Sequence, residues 1–140
     1  MSVSIYIYFN GNCREAVDFY AKSFRVEKQP VMTFGDIPAN PAHPIPEGAN
    51  DLIMHTFLVI HGTKFMFSDV LPGLPFMAGN HVSIVINSKD TEEIEDIYHK
   101  LIKGGKATME LQETFWSKCY GSLTDKFGID WQLSYDNGTE

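Results

Sequence analysis

The sequence predicts an α+β fold made of two βαβββ repeats, their mixed sheets curling around a shared hollow. Two observations carry that prediction. Hydrophobic periodicity runs strand, helix, strand, long connection, strand pair, and then restarts in the same order. The first amphipathic helix also maps onto the second when 78 is added to its numbering: Asn12 falls on Asp90, Glu15 on Glu93, Ala16 on Ile94, Phe19 on Ile97, Tyr20 on Tyr98 and Phe24 on Ile102. Cap, capping acid and apolar stripe coincide. Each repeat leaves a sheet face that its helix cannot cover, so pairing two repeats is the natural solution. At 140 residues the chain has one domain's length, here read as residues 1–140 with modules of about 1–70 and 80–140.

Residues 3–9, VSIYIYF, are β-branched and aromatic and read as a strand ended by Asn10-Gly11. Asn12 with Glu15 predicts a capping box for the first helix, which Pro30 cannot continue. Residues 26–34 are weakly strand-like. The stretch 35–50 holds Pro38, Pro41, Pro44 and Pro46, a density that excludes helix and ladder and predicts a lid, a binding loop or a surface insertion. Residues 51–60, DLIMHTFLVI, read as a strand buried on both faces, followed by the turn His61-Gly62-Thr63 and the strand 64–68. Residues 69–80 are the candidate linker between halves.

In the second half, 81–86 (HVSIVI) reads as a strand, Asp90 with Glu93 as a helix start, and Gly104-Gly105 as its stop. After a strand at 106–114, the run Phe115 to Ser134 reads as a hairpin turning at Asp125-Lys126-Phe127-Gly128. Trp116 and Trp131, the only tryptophans, fall one on each predicted arm.

Eighteen acids against eleven bases give a net charge of −7, and no basic stripe interrupts it, so a nucleic-acid partner is not expected. The first residues lack the basic region and cleavage motif of a signal peptide, and no apolar run approaches a membrane span. Cys13 and Cys119 form no CxxC, which predicts reduced thiols and a cytoplasmic protein. Neither a nucleophile elbow nor a phosphate loop is present.

His55, in a run of apolar residues, reads either as a structural histidine or as one pointing into the hollow. Phe67, Trp116, Tyr120 and Trp131 are candidate cavity walls that would otherwise be core. Strand alternation decides between these readings, and a one-residue slip inverts them. Cys119 reads as a buried small hydrophobe rather than a reactive thiol.

Three segments, IYIYFNGNCREAVDFYAKSF, IMHTFLVIHGTKFMFSD and FWSKCYGSLTDKFGIDWQLS, together resemble the vicinal oxygen chelate superfamily of glyoxalase I, bleomycin-resistance proteins and extradiol dioxygenases. The similarity is greatest to its PhnB-like branch, some of whose members carry a ubiquinone methyltransferase label. It implies the glyoxalase/bleomycin-resistance fold and a metal site drawn from four strands. The corresponding positions here are Ile5, Met66 or Phe67, His81 and Gln132. One imidazole and one amide are a poor donor set for a divalent ion, so no metal and no other cofactor is expected.

His81 then has two readings, a pocket residue or general base titrating near neutrality, or a strand-start histidine satisfied by backbone. The function expected is binding of an unknown small molecule by a homodimer, with His55, Phe67, His81, Trp116, Tyr120, Trp131 and Gln132 as ligand-binding candidates and His81 as the only catalytic one. The alternatives are a divalent-metal lyase, isomerase or dioxygenase, and a non-catalytic interaction domain.

Overall fold

The computed structural model describes residues 1–136. The chain divides into two compact units, Met1–Met77 and Ala78–Glu140, with the division falling inside the linker that the sequence indicates.

In the first unit, β1 (Ile5–Phe9), α1 (Cys13–Phe24), β2 (Met32–Thr33), β3 (Ile53–Ile60) and β4 (Thr63–Asp69) form one layer of sheet under one helix. The strand order is β1-β4-β3-β2, with β1 parallel to β4 and the other pairs antiparallel. The sheet's helix side carries Ile7, Phe9, Leu58, Ile60, Phe65 and Phe67, all buried beneath Ala16, Val17, Tyr20 and Phe24. The Tyr20 ring stacks on Phe67 at 5.9 Å and lies 6.4 Å from Phe9. His61 and Gly62 both take positive φ, 48° and 80°, the pattern of a type I′ hairpin turn.

The expected capping box at Asn12 does not form, since its side chain makes no cap bond. Asp69 takes over that role from the far end of β4. Its Oδ1 accepts the N–H groups of Gly11 (2.9 Å) and Cys13 (3.0 Å), and its Oδ2 accepts that of Ile53 (2.9 Å). One buried carboxylate thus fixes the starts of α1 and β3 together. Two further expectations are corrected. The 26–34 strand shrinks to Met32–Thr33, followed by a single 3-10 turn at Phe34–Asp36. β3 is buried on its helix side only, because Met54, His55 and Phe57 are half-exposed and Val59 is exposed. Residues 37–52, which include the proline-rich stretch, contain neither helix nor strand.

The second unit repeats the plan with β5 (Ile84–Ser88), α2 (Thr91–Leu101), β6 (Lys106–Gln112), β7 (Tyr120–Thr124) and β8 (Asp130–Tyr135). Its order is β5-β8-β7-β6, with β5 parallel to β8. Here the cap forms as the sequence indicates, with Asp90 Oδ1 accepting from Glu92 N (3.0 Å) and Glu93 N (3.3 Å). Ile94, Ile97, Tyr98 and Leu101 bury against Ile86, Leu123, Trp131 and Leu133. Gly121 is required by close approach, since a Cβ there would lie 2.8 Å from the Leu111 side chain and 2.9 Å from the Tyr98 ring. The Tyr98 hydroxyl donates to the carbonyls of Met109 (3.0 Å) and Ser122 (3.3 Å), tying α2 to β6 and β7.

The hairpin turns where the sequence places it, with Gly128 at φ 87°. Its first arm starts only at Tyr120, however, so Trp116 lies in the β6–β7 connection rather than on a strand. Likewise β5 starts at Ile84, three residues after His81. The turn from β5 into α2 is one residue shorter than that from β1 into α1, so the strands superpose one position off the helix spacing. Ile5 therefore corresponds to Ile84 and not to His81. Among the described residues the architecture is two helices and eight strands in two four-stranded mixed sheets.

Candidate functional site

Because side chains alternate along a strand, each sheet has a helix side committed to core and a helix-free side available for other work. In the first unit the helix-free side carries Tyr6 and Tyr8 from β1, Met66 and Ser68 from β4, and His55 and Phe57 from β3. The Tyr6 and Tyr8 rings stack at 4.8 Å, and Tyr6 Oη lies 3.4 Å from His55 Nδ1. In the second unit the matching positions are Val85 and Asn87, Gln132 and Ser134, and Tyr120 and Ser122. This face is mainly polar. Thr108 Oγ1 and Ser122 Oγ are 2.6 Å apart, and the Thr124 hydroxyl donates to Asp130 at 2.6 Å.

The candidate site is on this second face. The Tyr120 hydroxyl donates to Gln132 Oε1 at 2.5 Å, and Gln132 Nε2 donates to Ser83 Oγ at 3.2 Å. The amide is thereby held in place at both ends. The Trp116 ring meets Tyr120 edge-on at 5.3 Å, and the ring of Phe115 meets Trp116 edge-on at 4.8 Å. Beside them lies a recess of about 580 Å³ between the β6–β7 connection and the end of β8. Such a volume suits a small organic ligand. A clamped amide, a phenol and an exposed indole together offer hydrogen bonding and stacking. They supply no strong base and no nucleophile.

Of the residues singled out from sequence, Trp116, Tyr120 and Gln132 come together here. Trp131 does not. It lies on the helix side of β8, 1 % exposed, and its Nε1 donates to Asp125 Oδ2 at 2.8 Å. Asp125 Oδ1 also accepts from Phe127 N and Ile129 N, so Trp131 and the hairpin turn form one structural unit. Phe67 likewise faces the helix and is fully buried, so both residues are core rather than pocket wall. His55 occupies the helix-free face of the first unit beside Tyr6. His81 lies outside the strand on an exposed stretch. Sequence reading missed Ser83, whose role depends on β8 lying beside β5, and the walls of the recess, which come from non-adjacent segments.

The four positions that the fold family would use for a metal do not suit one. Ile5 and Phe67 lie on the helix side, His81 is off the strand, and the helix-free residues at the equivalent places are Tyr6, Met66, Val85 and Gln132. None of those four is an imidazole or a carboxylate. Among the described residues, no three His, Cys, Asp or Glu side chains converge in a geometry that could hold a metal ion.

Both cysteines are free and buried. Burial, with a smaller contribution from the Asp69 charge, drives the Cys13 thiol far above its ordinary range. Burial and then the Glu95 charge raise that of Cys119. Lys118 offers Cys119 no activation, since its Nζ sits over the Tyr135 ring at 4.3 Å. Neither thiol has the character of a nucleophile. No helix among the described residues is long and apolar enough to cross a membrane.

Residues 1–134 match the family model described as 3-demethylubiquinone-9 3-methyltransferase. The chain is 33% identical over 141 residues to protein YjdN of Escherichia coli K12, covering 96% of this chain and 95% of that protein. The crystal structure of protein PA1353 from Pseudomonas aeruginosa superposes with a TM-score of 0.86 at 33% identity, covering 97% of this chain and 98% of the other. A PhnB protein from Bacillus cereus gives a TM-score of 0.78 at 25% identity, covering 97% and 100%. The fold alone extends to the fosfomycin resistance protein FosX of Listeria monocytogenes, with a TM-score of 0.62 at 12% identity over 96% and 91% of the two chains.

Proposed function

Since the chain belongs to the family described as 3-demethylubiquinone-9 3-methyltransferase, a PhnB-like member of the vicinal oxygen chelate superfamily, we propose that it binds a small organic molecule on the helix-free face of its second unit, without a catalytic metal. The observation that carries this reading is the amide of Gln132, held between Tyr120 and Ser83 next to the exposed Trp116 and a ligand-sized recess. A polar group fixed from two sides is pre-organised for a ligand that presents a complementary donor and acceptor.

The family description names methyl transfer to a quinone precursor. The turns that follow β1 and β5, Asn10-Gly11-Asn12 and Lys89-Asp90, lack the glycine-rich loop that cradles nucleotide-bearing cofactors at a helix N-terminus. Binding or sequestration is therefore preferred to methyl transfer. The protein is further proposed to act as a cytoplasmic homodimer, a reading supported by its two free thiols and by the exposed aromatic residues Tyr6 and Tyr8.

A thermal-shift screen of aromatic antibiotics, bleomycin included, and of soluble quinones tests the binding reading. Compounds that stabilise the wild type are expected to lose that effect with Trp116→Ala and with Gln132→Met. If no compound stabilises the protein, or if both variants respond like the wild type, the proposed site is wrong. Stoichiometric zinc, nickel, manganese or iron in protein purified without chelator would overturn the metal-free part. Light scattering at micromolar concentration checks the dimer.

A further inference from the structure

The recess adjoins a polar row of the second sheet. Register sets Asn87 on β5 opposite Ser134 on β8, and Ser134 opposite Tyr120 on β7, with about 5 Å between neighbours in the row. Asn87 and Ser134 line the recess, and so does Trp116. Much of the hydrogen-bonding capacity of this row is open. Asn87 is exposed, and its amide bonds to no other described residue, which leaves both its N–H donors and its carbonyl acceptor to a ligand. The Ser134 hydroxyl has only a 3.4 Å contact to the carbonyl of Tyr135 on its own strand. The Tyr120 hydroxyl is engaged with Gln132 and keeps an open lone pair. Trp116 is 54 % exposed, and the rings of Phe115 and Tyr120 stand at 86° and 72° to it, so neither lies flat on the indole. Glu113 and Lys118, which also line the recess, are opposite in sign and between them favour neither an anion nor a cation.

We propose that this recess takes an uncharged, polyhydroxylated ring of the monosaccharide class. This rests on the binding reading above and adds the chemical class of the ligand. A ligand that satisfies the row must donate and accept at successive positions a few ångströms apart. Hydroxyl groups on neighbouring ring carbons do both. A carboxylate only accepts and an ammonium only donates, so either leaves part of the row unpaired. The Asn87 amide takes two adjacent hydroxyls, donating to one and accepting from the next, and Ser134 takes a third. The C–H face of the ring lies against Trp116, because the face of an aromatic ring is the negative side of its quadrupole and attracts polarised C–H hydrogens. A ring without the hydroxyl set keeps that apolar contact and forfeits the hydrogen bonds, each of which is worth about twofold to tenfold in affinity.

The test uses the full chain labelled with ¹⁵N-tryptophan, which gives two indole N–H resonances. Trp131, buried and bonded to Asp125, is an internal reference and a check that variants fold, and Trp116→Phe assigns the reporter. The probes are methyl β-glucopyranoside and methyl β-galactopyranoside, which carry the hydroxyl set, and cyclohexanol and benzyl alcohol, which offer a ring with a single hydroxyl. At least one glycoside is expected to shift the Trp116 resonance at a lower concentration than either alcohol, with Trp131 unmoved. Asn87→Leu keeps the side-chain volume and removes the amide. It is expected to weaken glycoside binding about twofold to tenfold for each hydrogen bond lost and to leave the response to cyclohexanol unchanged. If cyclohexanol or benzyl alcohol binds as tightly as both glycosides, or if Asn87→Leu binds them like the wild type, the hydroxyl assignment is overturned while the binding reading at Gln132 and Trp116 stands. If no probe moves the Trp116 resonance, the monosaccharide assignment falls, and the thermal-shift screen decides the broader reading separately.

Discussion

Tyr6, Tyr8, Phe57 and Met66 of the first unit stand where Val85, Asn87, Ser122 and Gln132 stand in the second. The opposite sides of the same sheets differ far less: Ile7, Leu58, Phe65 and Phe67 face one helix, and Ile86, Leu123, Trp131 and Leu133 face the other. Packing at interior density accepts only apolar residues of matching volume, so the helix sides change little in character. The helix-free sides carry no such constraint and have diverged, one aromatic and one polar. Function is therefore sought where two otherwise equivalent positions differ, which puts Gln132 and Tyr120 ahead of Trp131 and Phe67.

The sharpest check on that equivalence is in the cores. Trp131 and Phe65 hold the same place, opposite Ile84 and Ile5 respectively. Truncation of either to alanine is expected to cost about 3–5 kcal/mol, measured by urea denaturation. Trp131→Ala is expected at the upper end, because it also removes a donor from the buried carboxylate of Asp125. If Trp131→Ala cost under about 1 kcal/mol, the second unit would not be built around that ring, and the parallel between the units would fail.

A smaller effect is expected on the helix-free faces. Gln132→Met installs the first unit's residue in the second. It removes the Tyr120 and Ser83 hydrogen bonds, a loss of about 1–3 kcal/mol at a net 0.5–1.5 kcal/mol each, together with the thermal shift of any bound compound. The reverse exchange, Met66→Gln, is expected to cost less than about 1 kcal/mol, because Met66 is only half-buried on the helix-free face, where a polar end is tolerated. Matching losses in the two variants would mean that Gln132 is only a packing residue, and the contrast between the faces would carry no functional meaning.

What could be read from the sequence follows the range of the interactions involved. The α2 cap was legible because Asp90 bonds to N–H groups two and three residues away. The α1 cap is not legible locally, because its acceptor is Asp69, 58 residues from Gly11. The repeat was legible in the helices, but the shorter β5–α2 turn shifts the strand phase by one residue. That shift is enough to move the counted metal positions off a common face. Trp116 and Trp131 looked alike in a list of aromatic residues, and only the late start of β7 separates a solvent-facing ring from a core ring. The recess was not legible at all, since residues 113–118 meet the end of β8 only after the sheet has formed.

A further contrast concerns the two buried thiols, and pH exposes it. Both are raised by burial, Cys13 far more than Cys119. An unfolded chain ionises its thiols near pH 8.5. Below that pH, thiol titration does not distinguish the folded from the unfolded state. Above it, the unfolded chain releases a proton that the folded chain retains, so stability falls as pH rises towards the folded value. Between pH 8.5 and 10.5 the Cys13 contribution to that fall amounts to about 2–3 kcal/mol, at 1.36 kcal/mol per pH unit. The raised hydroxyl of Tyr98 adds a loss of the same sign at the top of the range. Denaturation midpoints measured across this interval should fall steeply in the wild type, clearly less in Cys13→Ala, and only slightly less in Cys119→Ala. Equal slopes in the wild type and Cys13→Ala would mean that the thiol beneath the start of α1 is hydrated, and with it the Asp69 junction that the first unit uses in place of a local cap.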